Sequence, residues 1–143
     1  MNLLDELHRF YYDMTLTELR LMNENSSNIS YHSLLYLDLI SYKDNCTVSY
    51  LADILHISKS AVTIKVNELI KSGLLIKKQS TKDRRVYYLS IAPKVKEDYK
   101  QHDMRVLNAS KDLEMNYTDS ELELFKKMLS QTRMSYLNTP KLK

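Results

Sequence analysis

At 143 residues the chain has the size of one domain with room for a core. Its 43% hydrophobic and 27% charged residues describe a folded protein and exclude a disordered one. The net charge is only +3, but it is unevenly spread: residues 59–96 hold ten basic and two acidic residues, a local +8 that leaves −5 for the rest. Such a block suits a polyphosphate partner. The apolar run 34–40 is broken by Asp38 and is too short to span a bilayer, so no membrane partner is expected. The start, MNLLDELHRF, has acids where a secretory signal needs a basic region, and the single Cys46 has no internal disulfide partner. A cytoplasmic location is expected. One glycine and two prolines favour a mainly helical chain with few tight turns.

In chain order, residues 3–22 read as a helix with Leu3, Leu7, Phe10, Met14 and Leu21 on one face. Residues 23–28 form a polar break. Ser30 caps a second helix running to about residue 42, with Leu34, Leu35, Leu37, Leu39 and Ile40 as its apolar surface. Thr47 caps a short third helix, 48–55, His56 and Ile57 make a turn, and Ser58 caps a fourth helix, 59–72. Gly73 supplies the left-handed residue that closes it. Residues 74–78 and 86–91, rich in β-branched and aromatic types, read as two strands. Pro93 starts a fifth helix, 93–115, because its missing N–H is no loss in a first turn. Thr118 and Glu121 form a capping box for a last helix carrying Leu122, Phe125, Leu129, Thr132 and Tyr136 on one face. Residues 138–143 read as a tail.

This is the order of parts in a winged helix-turn-helix, which places one helix in the major groove of DNA and a basic hairpin beside it. The expected fold is mainly α with a small antiparallel β wing. Residues 30–92 form the DNA-binding lobe within a single domain, 1–143, and the helices of 1–24 and 93–138 flank it. Apolar stripes at both ends of a short chain suit packing across a twofold axis, and two recognition helices one turn apart match a pseudo-palindromic site, so a homodimer on double-stranded DNA is expected.

On a wheel of helix 59–72, Val62, Val66, Leu69 and Ile70 face the core, while Ser60, Thr63, Ile64, Asn67 and Lys71 face outward. Ser and Thr donate or accept, Asn pairs with adenine, and Ile64 suits a thymine methyl. Ser58 and Lys59 stand at the helix start, where a phosphate is favoured. In the wing loop Asp83 is placed to accept hydrogen bonds from nearby amides or an arginine, leaving Arg84 and Arg85, with Lys82, for phosphates or a narrow minor groove.

At these residues the chain resembles the MarR family of bacterial regulators. The likeness lies in Thr47-Val48-Ser49-Tyr50-Leu51-Ala52, in Ile57-Ser58-Lys59-Ser60-Ala61-Val62-Thr63, in Leu69-Ile70-Lys71-Ser72-Gly73-Leu74-Leu75, and in Lys82-Asp83-Arg84-Arg85 followed by a strand. The order of six helices with a wing between the fourth and fifth also fits. The resemblance implies a homodimer held by the first, fifth and sixth helices, and a transcription regulator, more often a repressor, relieved by a small ligand. It makes Arg85, in the pattern Asp83-x-Arg85, the DNA-contacting arginine of the wing. The chain departs from the family's usual pattern at Ile64, where an arginine is common, at Asn67 and Glu68 in place of an Asp and an Arg, and at Ala92-Pro93-Lys94-Val95 after the second strand. In the family, effectors lie between the dimer helices and the DNA-binding lobe. His8, Tyr11, Tyr12, Tyr31 and Tyr36 are the candidates here to line such a place for a small aromatic or lipophilic molecule, and the same spacings also suit core or interface positions.

Other chemistry lacks its parts. Cys46 adjoins only Lys43 as a basic residue, which favours an inert thiol over an oxidant sensor. His8, His32, His56 and His102 make no pair at ligand spacing, so no metal is expected. There is no phosphate loop, nucleophile elbow or HExxH, so neither an enzyme nor a cofactor is expected. The alternative from another class is a winged helix whose wing meets an acidic protein partner. A DNA reader differs from it in losing affinity steeply with salt and in selecting sequence.

Overall fold

The computed structural model describes residues 1–24 and 29–141, without the side chains of residues 101 and 102. Most of the polar break at 23–28, the side chain of His102 and the end of the C-terminal tail lie outside the described residues. The elements are α1 (Leu3–Glu24), α2 (Tyr31–Ser41), α3 (Val48–Leu55), α4 (Lys59–Lys71), β1 (Leu75–Gln79), β2 (Tyr87–Ile91), α5 (Pro93–Asn116) and α6 (Asp119–Leu137). The mainly helical fold with a two-stranded antiparallel wing agrees with the sequence reading. Among the described residues no helix is long and apolar enough to cross a membrane.

The chain divides into two compact units, Met1–Ala92 and Pro93–Lys143. In the first, side-chain caps start three helices. The hydroxyls of Ser30, Thr47 and Ser58 accept the amides of Ser33, Tyr50 and Ala61, each three residues on, which satisfies one orphan donor per helix. The turn between α3 and α4 is made by His56 in the left-handed conformation, φ 55°, with Ile57 N–H donating to the Ala52 carbonyl at 3.2 Å. Gly73 closes α4 at φ 73°: its N–H reaches the Ile70 carbonyl and that of Leu74 reaches Leu69, both at 2.9 Å, the paired bonds of a Schellman ending. Because Leu74 finishes this ending, β1 begins at Leu75, one residue later than the composition suggests.

β1 and β2 pair with Leu75 opposite Ile91 and Gln79 opposite Tyr87. Leu89 N–H also donates to the Cys46 carbonyl at 2.8 Å, so the segment before α3 bridges to the outer side of β2. The core gathers Tyr36, Leu37 and Ile40 from α2, Leu51 and Ala52 from α3, Val62, Val66 and Leu69 from α4, and Leu75, Leu89 and Ile91 from the hairpin. The inward face of α4 matches the helical wheel, with Ile70 at its half-buried margin. On α2 the buried set is shifted: Tyr36 is only 5% exposed, whereas Leu35 faces outward. This helix is apolar nearly all round, so periodicity alone does not choose its inner face.

α1 buries none of its residues, and Leu3, Leu7, Phe10 and Met14 of its stripe are exposed. In the second unit, Thr118 and Glu121 form the expected capping box, with Thr118 N–H donating to Glu121 Oε2 at 2.8 Å. α6 likewise buries none of its residues, and Phe125, Leu129 and Tyr136 are exposed.

Candidate nucleic-acid interface

The caps and core contacts of α4 fix which side of it remains open. With Val62, Val66 and Leu69 buried, Ser60, Thr63, Ile64, Asn67 and Lys71 are all exposed. Ile64 is 71% exposed, which places a bare apolar side chain among short polar ones. Ser58 and Lys59 are exposed at the start of the helix. Ser58 uses its hydroxyl on the Ala61 amide at 3.1 Å, so its side chain is already engaged in capping. Lys65 lies to the side, its side chain 13% exposed and its Nζ 3.1 Å from Glu68 Oε1.

The wing loop holds its shape without glycine. The Ser80 hydroxyl accepts the amides of Lys82 at 3.2 Å and Asp83 at 3.3 Å. Gln79 Nε2 donates to the Arg84 carbonyl at 2.7 Å. Ser80 N–H reaches the Val86 carbonyl at 2.8 Å, and Val86 N–H returns to Asp83 at 3.0 Å. Side chains thus do the work a glycine turn would otherwise do. Neither Ser80 nor Gln79 stood out in the sequence. The available signal was a serine two and three residues ahead of the amides it accepts.

Asp83 takes the role expected of it more completely than expected. Its Oδ1 accepts the Arg85 amide at 3.0 Å and Nε at 3.1 Å, while Oδ2 accepts Nη2 at 3.0 Å. Arg85 is therefore clamped by two parallel bonds instead of hanging free, although its side chain is 90% exposed. Of its five N–H donors, the clamp leaves others pointing away from Asp83. The hydrogen bonds from the Arg85 side chain, and then from its amide, hold the Asp83 carboxyl below the usual aspartate range. A lowered value means the clamp is present above that range and is lost only as pH falls through the lower folded value, so it is intact throughout neutral pH. Lys82 and Arg84 are exposed on the same loop. Beside it, Lys77 Nζ sits 4.9 Å from the centre of the Tyr87 ring.

A groove of about 440 Å³ lies between the start of α3, the outer side of α4 and the hairpin. Ser49, Thr63, Asn67, Lys77, Arg85 and Tyr87 are among the residues that line it. The fold thus brings two of the recognition-helix candidates, Thr63 and Asn67, and the wing arginine to one concavity, while Ser60, Ile64 and Lys71 lie outside its lining. None of the proposed effector contacts lines it. His8, Tyr11 and Tyr12 stand exposed on α1, Tyr31 is half exposed at the start of α2, and Tyr36 is a core residue whose ring meets His32 edge-on at 5.2 Å.

Residues 29–87, which hold α2, α3, α4 and the wing, match the family model described as the MarR family. The chain carries a MarR-family domain. It is the winged helix-turn-helix of DNA-binding transcription regulators, with α3 and α4 as its helix-turn-helix and β1 and β2 as its wing. Solved MarR-family structures share the fold over nearly the whole chain. FabT from Streptococcus pneumoniae, in complex with DNA, is 20% identical with a TM-score of 0.65, covering 94% of this chain and 96% of its own. The adhesin competence repressor AdcR from Streptococcus pyogenes is 24% identical at a TM-score of 0.56, covering 95% and 98%. A MarR protein from Peptoclostridium difficile is 22% identical at 0.56, covering 96% and 89%. No curated protein is similar enough to this chain to count as a match.

Two expected outcomes arise from the geometry of this MarR-family domain. Ser80→Ala removes the acceptor of two wing amides, so hydrogen exchange at Lys82 and Asp83 will speed up and the lobe will lose about 1 kcal/mol of stability. Unchanged exchange at both amides would show that Ser80 does not shape the loop. Cys46 is buried, and desolvation pushes its thiol above the usual range despite the opposing charge of Lys43. A raised value favours the protonated thiol in the folded state. That stabilising contribution is full below the unfolded thiol's range and is lost as pH rises through the folded value. A thiol-alkylating reagent at neutral pH will therefore label the native chain far more slowly than the denatured chain, whereas equal rates would contradict the burial.

Proposed function

We propose that the chain is a homodimeric transcriptional repressor of a pseudo-palindromic operator, with α4 in the major groove, the wing on the minor groove and DNA affinity lowered by a small aromatic or lipophilic effector. The observation that carries the reading is the pairing, across one groove, of an uncharged polar helix face with a clamped arginine. A strand passing between a helix in the major groove and a wing in the minor groove has to cross such a concavity. Lys77 and Arg85 then stand where phosphates pass, and Ser60, Thr63, Ile64 and Asn67 meet base edges, with Ser58, Lys59, Lys82 and Arg84 on the flanking backbone. Asp83 acts through Arg85, holding the guanidinium before DNA arrives and so reducing the ordering cost of binding.

The exposed apolar faces of α1 and of α6 each support a second copy as partner, since an exposed apolar helix face on a folded chain marks an interaction site. The flanking segments 1–24 and 93–138 are the dimerisation helices on this reading. The fold likeness to FabT, solved with DNA, and to the repressor AdcR supports the DNA-binding and repressor reading. His8, Tyr11, Tyr12 and Tyr31 offer apolar bodies with polar tips to an effector, and Tyr36 would act through the core.

Binding of a labelled duplex at a series of salt concentrations tests the DNA reading. The logarithm of the affinity will fall linearly with the logarithm of salt, by about 0.9 for each phosphate neutralised. A flat response would remove phosphate contact from the account. Light scattering will give twice the chain mass, and a monomer at the working concentration would remove the twofold operator.

A further inference from the structure

The exposed face of α4 is uncharged from Ser60 to Asn67, with Lys59 at its start, and its centre is apolar. Ser60, Thr63, Ile64 and Asn67 follow one another around the exposed side, and Ile64, the one apolar residue among them, is 71% exposed. The cations of this helix lie elsewhere. Lys59 is at its first position, Lys71 at its last, and Lys65 is largely buried and bonded to Glu68 at 3.1 Å. Guanine is read in the major groove chiefly by a bidentate arginine or lysine at O6 and N7, and adenine by a bidentate Asn or Gln at N6 and N7, while the thymine methyl takes apolar contact. An isoleucine held largely out in water contributes little burial to the fold, and its burial against a methyl group recovers apolar area.

Resting on the DNA-binding reading above, we propose that the half-site under α4 is A·T-specified, with a thymine C5-methyl seated against Ile64 and an adjacent adenine paired by Asn67. The α4 face then disfavours G·C at the Ile64 and Asn67 steps, where it offers no arginine or lysine for a bidentate contact to guanine O6 and N7, and the wing adds Arg85 without reading those bases. Ser60 and Thr63, whose hydroxyls both donate and accept, fit either member of the A·T pair.

The test replaces thymine by uracil, which deletes only the C5-methyl, at each half-site thymine of the duplex that the full chain most enriches from a random pool. At one thymine position, uracil placed in one half-site will weaken binding about fourfold, the effect of losing burial of one methyl-sized group, and uracil placed in both half-sites, the uracil duplex, about sixteenfold. Ile64→Ala, a substitution at an exposed position that leaves the core untouched, will bind the thymine duplex about as weakly as the wild type binds the uracil duplex and will be indifferent to uracil. Guanine or cytosine enriched at the centre of the half-site, or equal wild-type affinity for thymine and uracil duplexes at every position, would overturn the proposal while leaving the DNA-binding reading intact. Failure to enrich any duplex would instead overturn that reading, and this inference with it.

Discussion

Arg85→Ala will lower affinity for operator DNA by about tenfold to a hundredfold and leave the fold intact. The size of the effect follows from geometry. Arg85 is not a loose surface cation: Asp83 grips its Nε and Nη2, so the remaining donors are presented in one orientation. Binding then pays little side-chain ordering, and the loss on truncation is correspondingly large. The fold is spared because the side chain packs against nothing in the core and Val86 N–H keeps its bond to the Asp83 carbonyl. Arg85→Lys separates charge from orientation. It keeps the cation and so the salt dependence, but an ammonium cannot make the paired contact with Asp83, and most of the affinity will still be lost. Equal affinity for the wild type and Arg85→Ala, with unchanged circular dichroism, would take the wing out of the mechanism.

Leu69→Ala will destabilise the DNA-binding lobe by about 2–5 kcal/mol, measured by chemical denaturation. Leu69 is 1% exposed, and its carbonyl receives the Leu74 amide in the ending that turns the chain from α4 into β1. A cavity here loosens the seat of the recognition helix and the entry to the wing together. Since small domains carry only about 5–15 kcal/mol of net stability, a loss of this size populates unfolded chain. A change below about 1 kcal/mol would mean that the site collapses around the smaller residue or that α4 is held chiefly by Val62 and Val66.

What the sequence disclosed and what it concealed divide along the range of the interactions involved. The caps at Ser30, Thr47, Ser58 and Thr118 and the left-handed Gly73 were legible because each depends on residues within one turn. The open side of α4 was legible because its apolar residues repeat at the helical period. The inner face of α2 was not, because a nearly uniform apolar helix carries no such contrast, and Tyr36 was drawn into the core by what packs on it. In the wing the charge run announced itself, but its architecture did not. Composition says that Asp83 and Arg85 are two residues apart. It does not say that Ser80 and Gln79 fold the loop so that the pair closes on itself. The end helices show the same limit: the stripes on α1 and α6 were readable, but their partner is not a property of one chain's pattern.

Selection from random duplex DNA by the purified full chain, sequenced after rounds at two salt concentrations, tests the central claim most directly. A dimeric regulator reading DNA through α4 and the wing predicts an enriched inverted repeat with half-sites about one helical turn apart, its sequence unchanged by salt while its yield falls. Recovery of no common sequence at either salt concentration would contradict that account.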